Sequence, residues 1–165
     1  LGAESTGKSA LAEALAKHYG TVWVPEYLRE FVETRQRVPV SSDQILIANT
    51  QLQREAECLL QAKGWLFCDT SPLMTAIYSR LYFGGADAAL EKLEYAHDYA
   101  LTIVTAPDFP WAPDGLQRES AAVRQQVHEE LLRTLEERDI PFMMVEGGIA
   151  DRVGQVEFAL TFLSS

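Results

Sequence analysis

A chain of 165 residues, 47% hydrophobic and 23% charged, has the composition of one ordinary globular domain, neither disordered nor membrane-like. A formal net charge of −10 argues against a general nucleic-acid binder, which needs basic patches, and suits a small-molecule enzyme, leaning towards a cationic substrate. No apolar run approaches the roughly 20 residues that span a bilayer, no basic-then-apolar leader opens the chain, and Cys58 and Cys68 lack metal-ligand spacing. The expectation is a single cytoplasmic domain over residues 1–165, with reduced thiols and no membrane or nucleic-acid partner.

The first feature along the chain is GAESTGKS, from Gly2 to Ser9. It matches G-x-x-x-x-G-K-[ST] without a mismatch, and the helix formers that follow it are what such a loop requires. Gly2 and Gly7 let the backbone curl so that successive N–H groups converge on an anion, and the helix start adds its positive end. Gly2, Ala3, Glu4, Ser5, Thr6, Gly7, Lys8, Ser9 and Ala10 are therefore assigned to a nucleoside triphosphate. Lys8 would reach the β- and γ-phosphates, and the Ser9 hydroxyl would ligate Mg²⁺.

Thr21–Val24 (TVWV) reads as a strand, and Glu26 stands just past its end. Ligand-contacting residues in parallel α/β sheets occupy such places, so Glu26 is a candidate general base and, alternatively, a first-turn helix acid. From Asp43 to Lys63 the sequence has helical periodicity, with Ile45, Ala48, Leu52, Ala56 and Leu59 on one face, a Ser41/Gln44 capping box before it and Gly64 as terminator. Trp65–Cys68 (WLFC) is the next strand. Asp69, directly after it, fits an acid that orients Mg²⁺, or an N-cap for a helix with Pro72 in its first turn.

Leu101–Thr105 is a third β-rich run, followed by a Pro-rich stretch to Gly115 and a helical segment, Ser120–Arg138. Val123, Val127, Leu131 and Leu135 form its apolar stripe and Ser120 is its N-cap. Arg118 and Arg124 are the candidates for a lid that brings positive charge to the transferring phosphoryl group, whereas His128 is an ordinary helix residue. After the last strand, Phe142–Val145, come Gly147 and Gly148, where backbone could approach an adenine, with Arg152 nearby. Strands alternating with helices predict an α/β, three-layer P-loop fold around a five-stranded parallel sheet, its first strand upstream of Leu1.

Taken together, GAESTGKS, VWVPEYLRE, FCDTS, PDFPWAPDGL and VEGG-x-x-x-R, in this order over nearly the whole chain, resemble the nicotinamide-riboside kinase domain of NadR-type proteins. The resemblance implies ATP- and Mg²⁺-dependent phosphorylation of a ribosyl 5′-hydroxyl. It carries Glu26 and Arg29 onto the VPEY-x-R segment, Asp69 onto the CDT segment, and Trp111 and Asp114 onto PW-x-x-DG. Because the nicotinamide ring of the riboside is cationic, Tyr27 or Trp111 would offer it an aromatic face, with core packing as the alternative for both. Leu28, Ala106 and Ala112 depart from the usual pattern, all on the substrate side. Two further functions stay open from sequence: an ATP-binding regulatory module, and a kinase for another nucleoside or small metabolite.

Overall fold

The structure, a computed structural model, describes residues 1–113 and 120–164. Four strands and seven helices alternate among them: α1 (Lys8–Tyr19), β1 (Trp23–Val24), α2 (Tyr27–Arg35), α3 (Gln44–Leu59), β2 (Phe67–Cys68), α4 (Pro72–Phe83), α5 (Ala88–Tyr95), β3 (Thr102–Thr105), α6 (Ala121–Glu137), β4 (Phe142–Val145) and α7 (Ile149–Leu163). Every strand falls inside a run expected from the sequence. The two helices with the clearest periodicity also appear, α6 with the Ser120 hydroxyl accepting the Val123 N–H at 3.2 Å as its cap.

The capping expectations for α3 and α4 are corrected in detail. A short 3₁₀ turn, Ser41–Asp43, precedes α3, and Asp43 accepts the Val40 N–H at 2.8 Å where a Ser41 box was expected. Ser71, not Asp69, is the N-cap residue of α4, with Pro72 in its first turn. The buried face of α3 is also rotated. It comprises Gln44, Ile47, Ala48 and Gln51, while Ala56 and Leu59 are exposed. Gln51 is tolerated in the interior because the turn beside it supplies hydrogen-bond partners, the Tyr27 N–H and the Pro25 carbonyl.

All strand pairing is parallel. Trp23 and Val24 stand opposite Phe67 and Cys68, and Thr102–Thr105 stand opposite Phe142–Val145. Leu1 continues the second ladder on the free side of β3: its amino group donates to the Ile103 carbonyl at 2.6 Å, and the Thr105 N–H donates to the Leu1 carbonyl at 2.9 Å. Between β2 and β3 lies a mostly apolar groove of about 140 Å³, walled by Leu11, Phe67, Leu101 and Ile103. The described residues thus hold two parallel pairs rather than one five-stranded sheet.

Apolar side chains cover the strands on both faces, as parallel pairing demands. On one face Leu11 and Leu15 of α1 meet Val156 and Leu160 of α7 over Phe67 and Val145. On the other, Leu73 and Ile77 of α4 meet Val127, Leu131 and Leu135 of α6 over Val104. No described helix is long and apolar enough to cross a membrane.

Candidate active site

The phosphate loop is braced from beneath before it can bind anything. The Thr6 hydroxyl donates to the Ala3 carbonyl at 2.7 Å and pairs with the Thr105 hydroxyl at 2.7 Å, tying the loop to the end of β3. At Gly2 a Cβ would lie 2.2 Å from the Thr105 hydroxyl oxygen, so only glycine permits this seat. Gly7 has φ +81°, and a Cβ there would also meet the Phe109 ring at 2.8 Å. Lys8 Nζ bends back to the Ala3 carbonyl at 3.1 Å. All the expected loop residues from Glu4 to Ala10 line one cavity, which Glu26, Leu28, Arg29 and Tyr78 close on the far side.

Two residues 60 positions apart meet at the edge of that cavity. The Ser9 hydroxyl donates to Asp69 Oδ2 at 2.5 Å, while Oδ1 of the same carboxylate is buried with no hydrogen-bond partner and the residue is 2% exposed. An orphaned carboxylate oxygen beside a loop hydroxyl fits a hard divalent cation, which takes oxygen ligands from serine, carboxylate, phosphate and water. Among the described residues no cluster of three or more His, Cys, Asp and Glu side chains could hold a metal unaided. A shared site, part protein and part phosphate, is what the donor set suits.

Glu26 precedes the first turn of α2 and is set there by a buried glutamine. Gln51, 2% exposed, accepts the Tyr27 N–H at 2.8 Å and donates to the Pro25 carbonyl at 3.2 Å. Both backbone groups flanking Glu26 are therefore fixed by one side chain of α3. Glu26 lines the phosphate cavity and also a second, deeper one of about 280 Å³. That second cavity is enclosed by Leu28, Gln44, Gln51, Met74, Tyr78 and Tyr82, among others. Tyr78 and Tyr82, one helical turn apart on α4, hold their rings parallel with centroids 6.0 Å apart.

The other expected site residues divide. Arg29 and Arg124 reach the loop region: Arg29 lines the phosphate cavity, and Arg124 Nη1 donates to the Phe109 carbonyl at 2.7 Å and to the Ser5 carbonyl at 3.5 Å. The Ser5 hydroxyl donates to the Ala112 carbonyl at 2.6 Å, joining the Pro-rich stretch to the same loop. Tyr27 lines neither cavity. Its ring packs edge-on to Phe31, with the Arg54 guanidinium 4.7 Å over its face, so the cationic partner foreseen for it is already an arginine of α3. Trp111 likewise lines neither cavity. Asp114 and Arg118 lie outside the described residues.

Gly147 and Arg152 are committed to protein partners. The Gly147 N–H donates to Asp108 Oδ2 at 2.7 Å. Arg152, expected near the nucleotide, is fully buried, and its bonds go to the Thr6, Ala106 and Gly147 carbonyls and to Asp108. Burial would raise the Asp108 carboxyl, but the Gly147 N–H and the Arg152 charge outweigh it and hold it below the ordinary value. Burial lowers the His128 imidazole, in keeping with an interior helix residue.

Sequence patterning did not single out Gln51, Met74, Tyr78 or Tyr82, and gave Gln44 only a capping role; all five line the deeper cavity. The available signals were a glutamine interrupting the apolar face of α3 and the i, i+4 tyrosine pair of α4.

Similarity to known proteins agrees with this geometry. A family profile described as "AAA domain" matches residues 1–152. The chain is 30% identical over 151 residues to the trifunctional NAD biosynthesis/regulator protein NadR of Escherichia coli (strain K12), and 28% identical to its namesake from Salmonella typhimurium. Each alignment takes in 88% of this chain but 37% of the relative, so the chain spans little more than a third of the curated relatives' length. A solved NadR protein in complex with NAD and AMP-PNP superimposes with a TM-score of 0.77 at 23% identity, over 97% of this chain and 47% of that one. Another, in complex with NR, gives 0.75 at 24% identity, over 89% and 44%. These superpositions establish a shared α/β P-loop fold.

Proposed function

The chain belongs to the AAA domain family, and from that premise we propose that it is an ATP- and Mg²⁺-dependent kinase for the ribose 5′-hydroxyl of nicotinamide riboside, giving nicotinamide mononucleotide. The observation that carries this reading is that Glu26 lines both cavities, the one formed by the phosphate loop and the deeper one beside it. A carboxylate on a shared wall is where a base must stand to take a proton from an acceptor on one side as its oxygen attacks phosphorus on the other. The relatives named for NAD biosynthesis, and the solved NadR protein in complex with NR, supply the choice of acceptor.

The chemistry follows from the placement of each side chain. The loop N–H groups and Lys8 would hold the β- and γ-phosphates of ATP, which must free Lys8 Nζ from the Ala3 carbonyl. Mg²⁺, bound through Ser9 Oγ and Asp69, would neutralise charge between those phosphates. Glu26 accepts the 5′-hydroxyl proton, the acceptor oxygen bonds to the γ-phosphorus, and the bond to the β,γ-bridging oxygen breaks to release ADP. Arg29 and Arg124 stand near enough to the loop to meet the charge that spreads over the transferring group.

Tyr78 and Tyr82 line the deeper cavity, and we assign to them the aromatic contact with a cationic ring first expected of Tyr27 and Trp111. Gln44 and Gln51 supply donors and acceptors for an amide or ribose hydroxyls. We read residues 1–165 as a single cytosolic kinase domain, and the groove between β2 and β3, edged by Leu1, as the seat of the fifth parallel strand. The reading is tested by incubating the protein with γ-labelled ATP, Mg²⁺ and, separately, nicotinamide riboside, uridine, thymidine or no acceptor. Label in nicotinamide mononucleotide alone is the expected result. Label in another nucleotide, or in none, would overturn the acceptor or the kinase respectively.

A further inference from the structure

Among the described residues Arg152 is the largest side chain with no solvent exposure, and the transfer chemistry gives it no reactant to touch. Its guanidinium nevertheless reaches three loops at once. Nη1 donates to the Thr6 carbonyl at 2.5 Å, Nη2 to the Ala106 carbonyl at 3.1 Å and to Asp108 Oδ1 at 2.5 Å, and Nε to the Gly147 carbonyl at 3.0 Å. The Phe109 ring lies 4.4 Å from its central carbon. The remaining oxygen of Asp108 accepts the Gly147 N–H, closing the network. A buried guanidinium carries a large desolvation cost, which here three carbonyls and one carboxylate offset. A buried charge is a costly way to join three loops unless their geometry matters.

The geometry that matters is one peptide plane. A trans peptide points its C=O and N–H in opposite directions. The Thr6 carbonyl is held towards Arg152, so the N–H of the same unit, that of Gly7, is turned away from it. Gly7 lines the phosphate cavity and Arg152 does not, so the guanidinium lies behind the loop and the Gly7 N–H is directed to the front. A Cβ on Gly7 would come 2.8 Å from the Phe109 ring and 3.2 Å from Nη1, so the guanidinium and the ring over it pack directly against this glycine.

We propose that Arg152 is a positioning residue for triphosphate binding. It fixes the Thr6–Gly7 peptide so that its N–H is presented to the phosphates, and Asp108 fixes Arg152. The inference rests on the reading of GAESTGKS as a triphosphate site but on no assumption about the acceptor.

The test is calorimetric titration of the whole chain with Mg·AMP-PNP, for the wild type, Arg152→Lys and Asp108→Asn. Thermal unfolding without nucleotide runs in parallel, and KM is measured for ATP and for the acceptor. Lysine cannot bond four acceptors from one plane, so Arg152→Lys should bind about tenfold more weakly, the scale set by losing a charged hydrogen bond. Its KM for ATP should rise while the acceptor KM holds, a split that general loosening of the fold would not produce. Asp108→Asn keeps the arginine and removes its counter-charge, with an expected loss of about threefold. A folded Arg152→Lys that binds within about twofold of the wild type, a difference under 0.5 kcal/mol by the same relation, overturns the proposal. If that variant fails to fold, unchanged binding by Asp108→Asn overturns it instead. A wild type that binds no AMP-PNP removes the triphosphate site itself and the inference with it, whereas a wild type that binds nucleotide but phosphorylates no acceptor leaves this proposal intact and sinks only the kinase.

Discussion

On the phosphate side of the site, eight consecutive residues supply the cradle, and Thr105 and Arg152 behind them hold it by hydrogen bonds to the Thr6 hydroxyl and carbonyl, with Asp108 holding Arg152 in turn. On the side proposed for the acceptor, α2 contributes one lining residue, α3 three and α4 five, and the walls are chiefly apolar and aromatic. The contrast follows from what each ligand offers. A phosphate presents the same oxygens whatever nucleoside carries it, so a continuous backbone loop can recognise it and leaves a fixed motif in the sequence. An acceptor presents a particular shape, which is met by side chains converging from distant positions with no required spacing. Glu26 belongs to both sides, and the two can therefore be disturbed separately on either flank of it.

The largest separable effect is expected on the phosphate side. Asp69→Asn removes charge beside the Ser9 hydroxyl and should lower kcat by about 10²-fold, as loss of a metal-orienting carboxylate does, with partial recovery at high Mg²⁺. Rates measured across a Mg²⁺ titration decide this; a loss unmoved by Mg²⁺ would remove Asp69 from the metal site. Next, Thr75→Trp places bulk in the deeper cavity and should raise the acceptor KM about tenfold while the ATP KM holds, given a cost of about 1–3 kcal/mol for overpacking. Equal rises in both would mean that the two cavities are not separate sites.

A smaller effect tests how the two sides are joined. Gln51→Leu leaves the Tyr27 N–H and the Pro25 carbonyl without their partner and should cost about 1–3 kcal/mol in urea unfolding. It should also slow turnover, because the turn that carries Glu26 is freed. The smallest effect lies away from both cavities. Burial pushes the Glu55 carboxyl up to about 7, against the lowering influence of its hydrogen bonds from Tyr99 and Cys68. A folded-state value above the ordinary 4.5 means that the neutral form stabilises the fold. That contribution is complete below about 4.5 and is lost as the pH rises through about 7. Glu55→Gln, neutral throughout, should melt a few degrees (order of magnitude) above the wild type at pH 8 and level with it at pH 5. Melting curves at the two pH values check the sign.

What the sequence disclosed follows the same division. The four β-rich runs contain all four described strands, and Asp69 and Glu26, singled out for standing just past two of them, are found against Ser9 and on the wall of the loop cavity, because strand ends are where backbone geometry delivers side chains to such a loop. The deeper cavity was not legible. Tyr27 and Trp111 have the right chemistry for a cationic ring, but facing direction decides use, and Tyr27 packs against Phe31 and Arg54 and lines neither cavity. Arg152 stood out in the sequence only as a neighbour of a glycine pair where an adenine could approach, and the three carbonyls and one carboxylate that it joins come from segments too far apart in sequence for any spacing to announce.

The most direct test of the whole reading is Glu26→Gln, which keeps the shape of the side chain on the wall between the cavities and removes its basicity. Mg·AMP-PNP binding and acceptor-dependent ADP release would be measured on the same preparation. A base shared by the two cavities predicts unchanged nucleotide binding with release reduced about 10³-fold, within the range for a general base. Turnover that survives the change would contradict it and leave Glu26 as a helix-start acid beside a kinase whose base lies elsewhere.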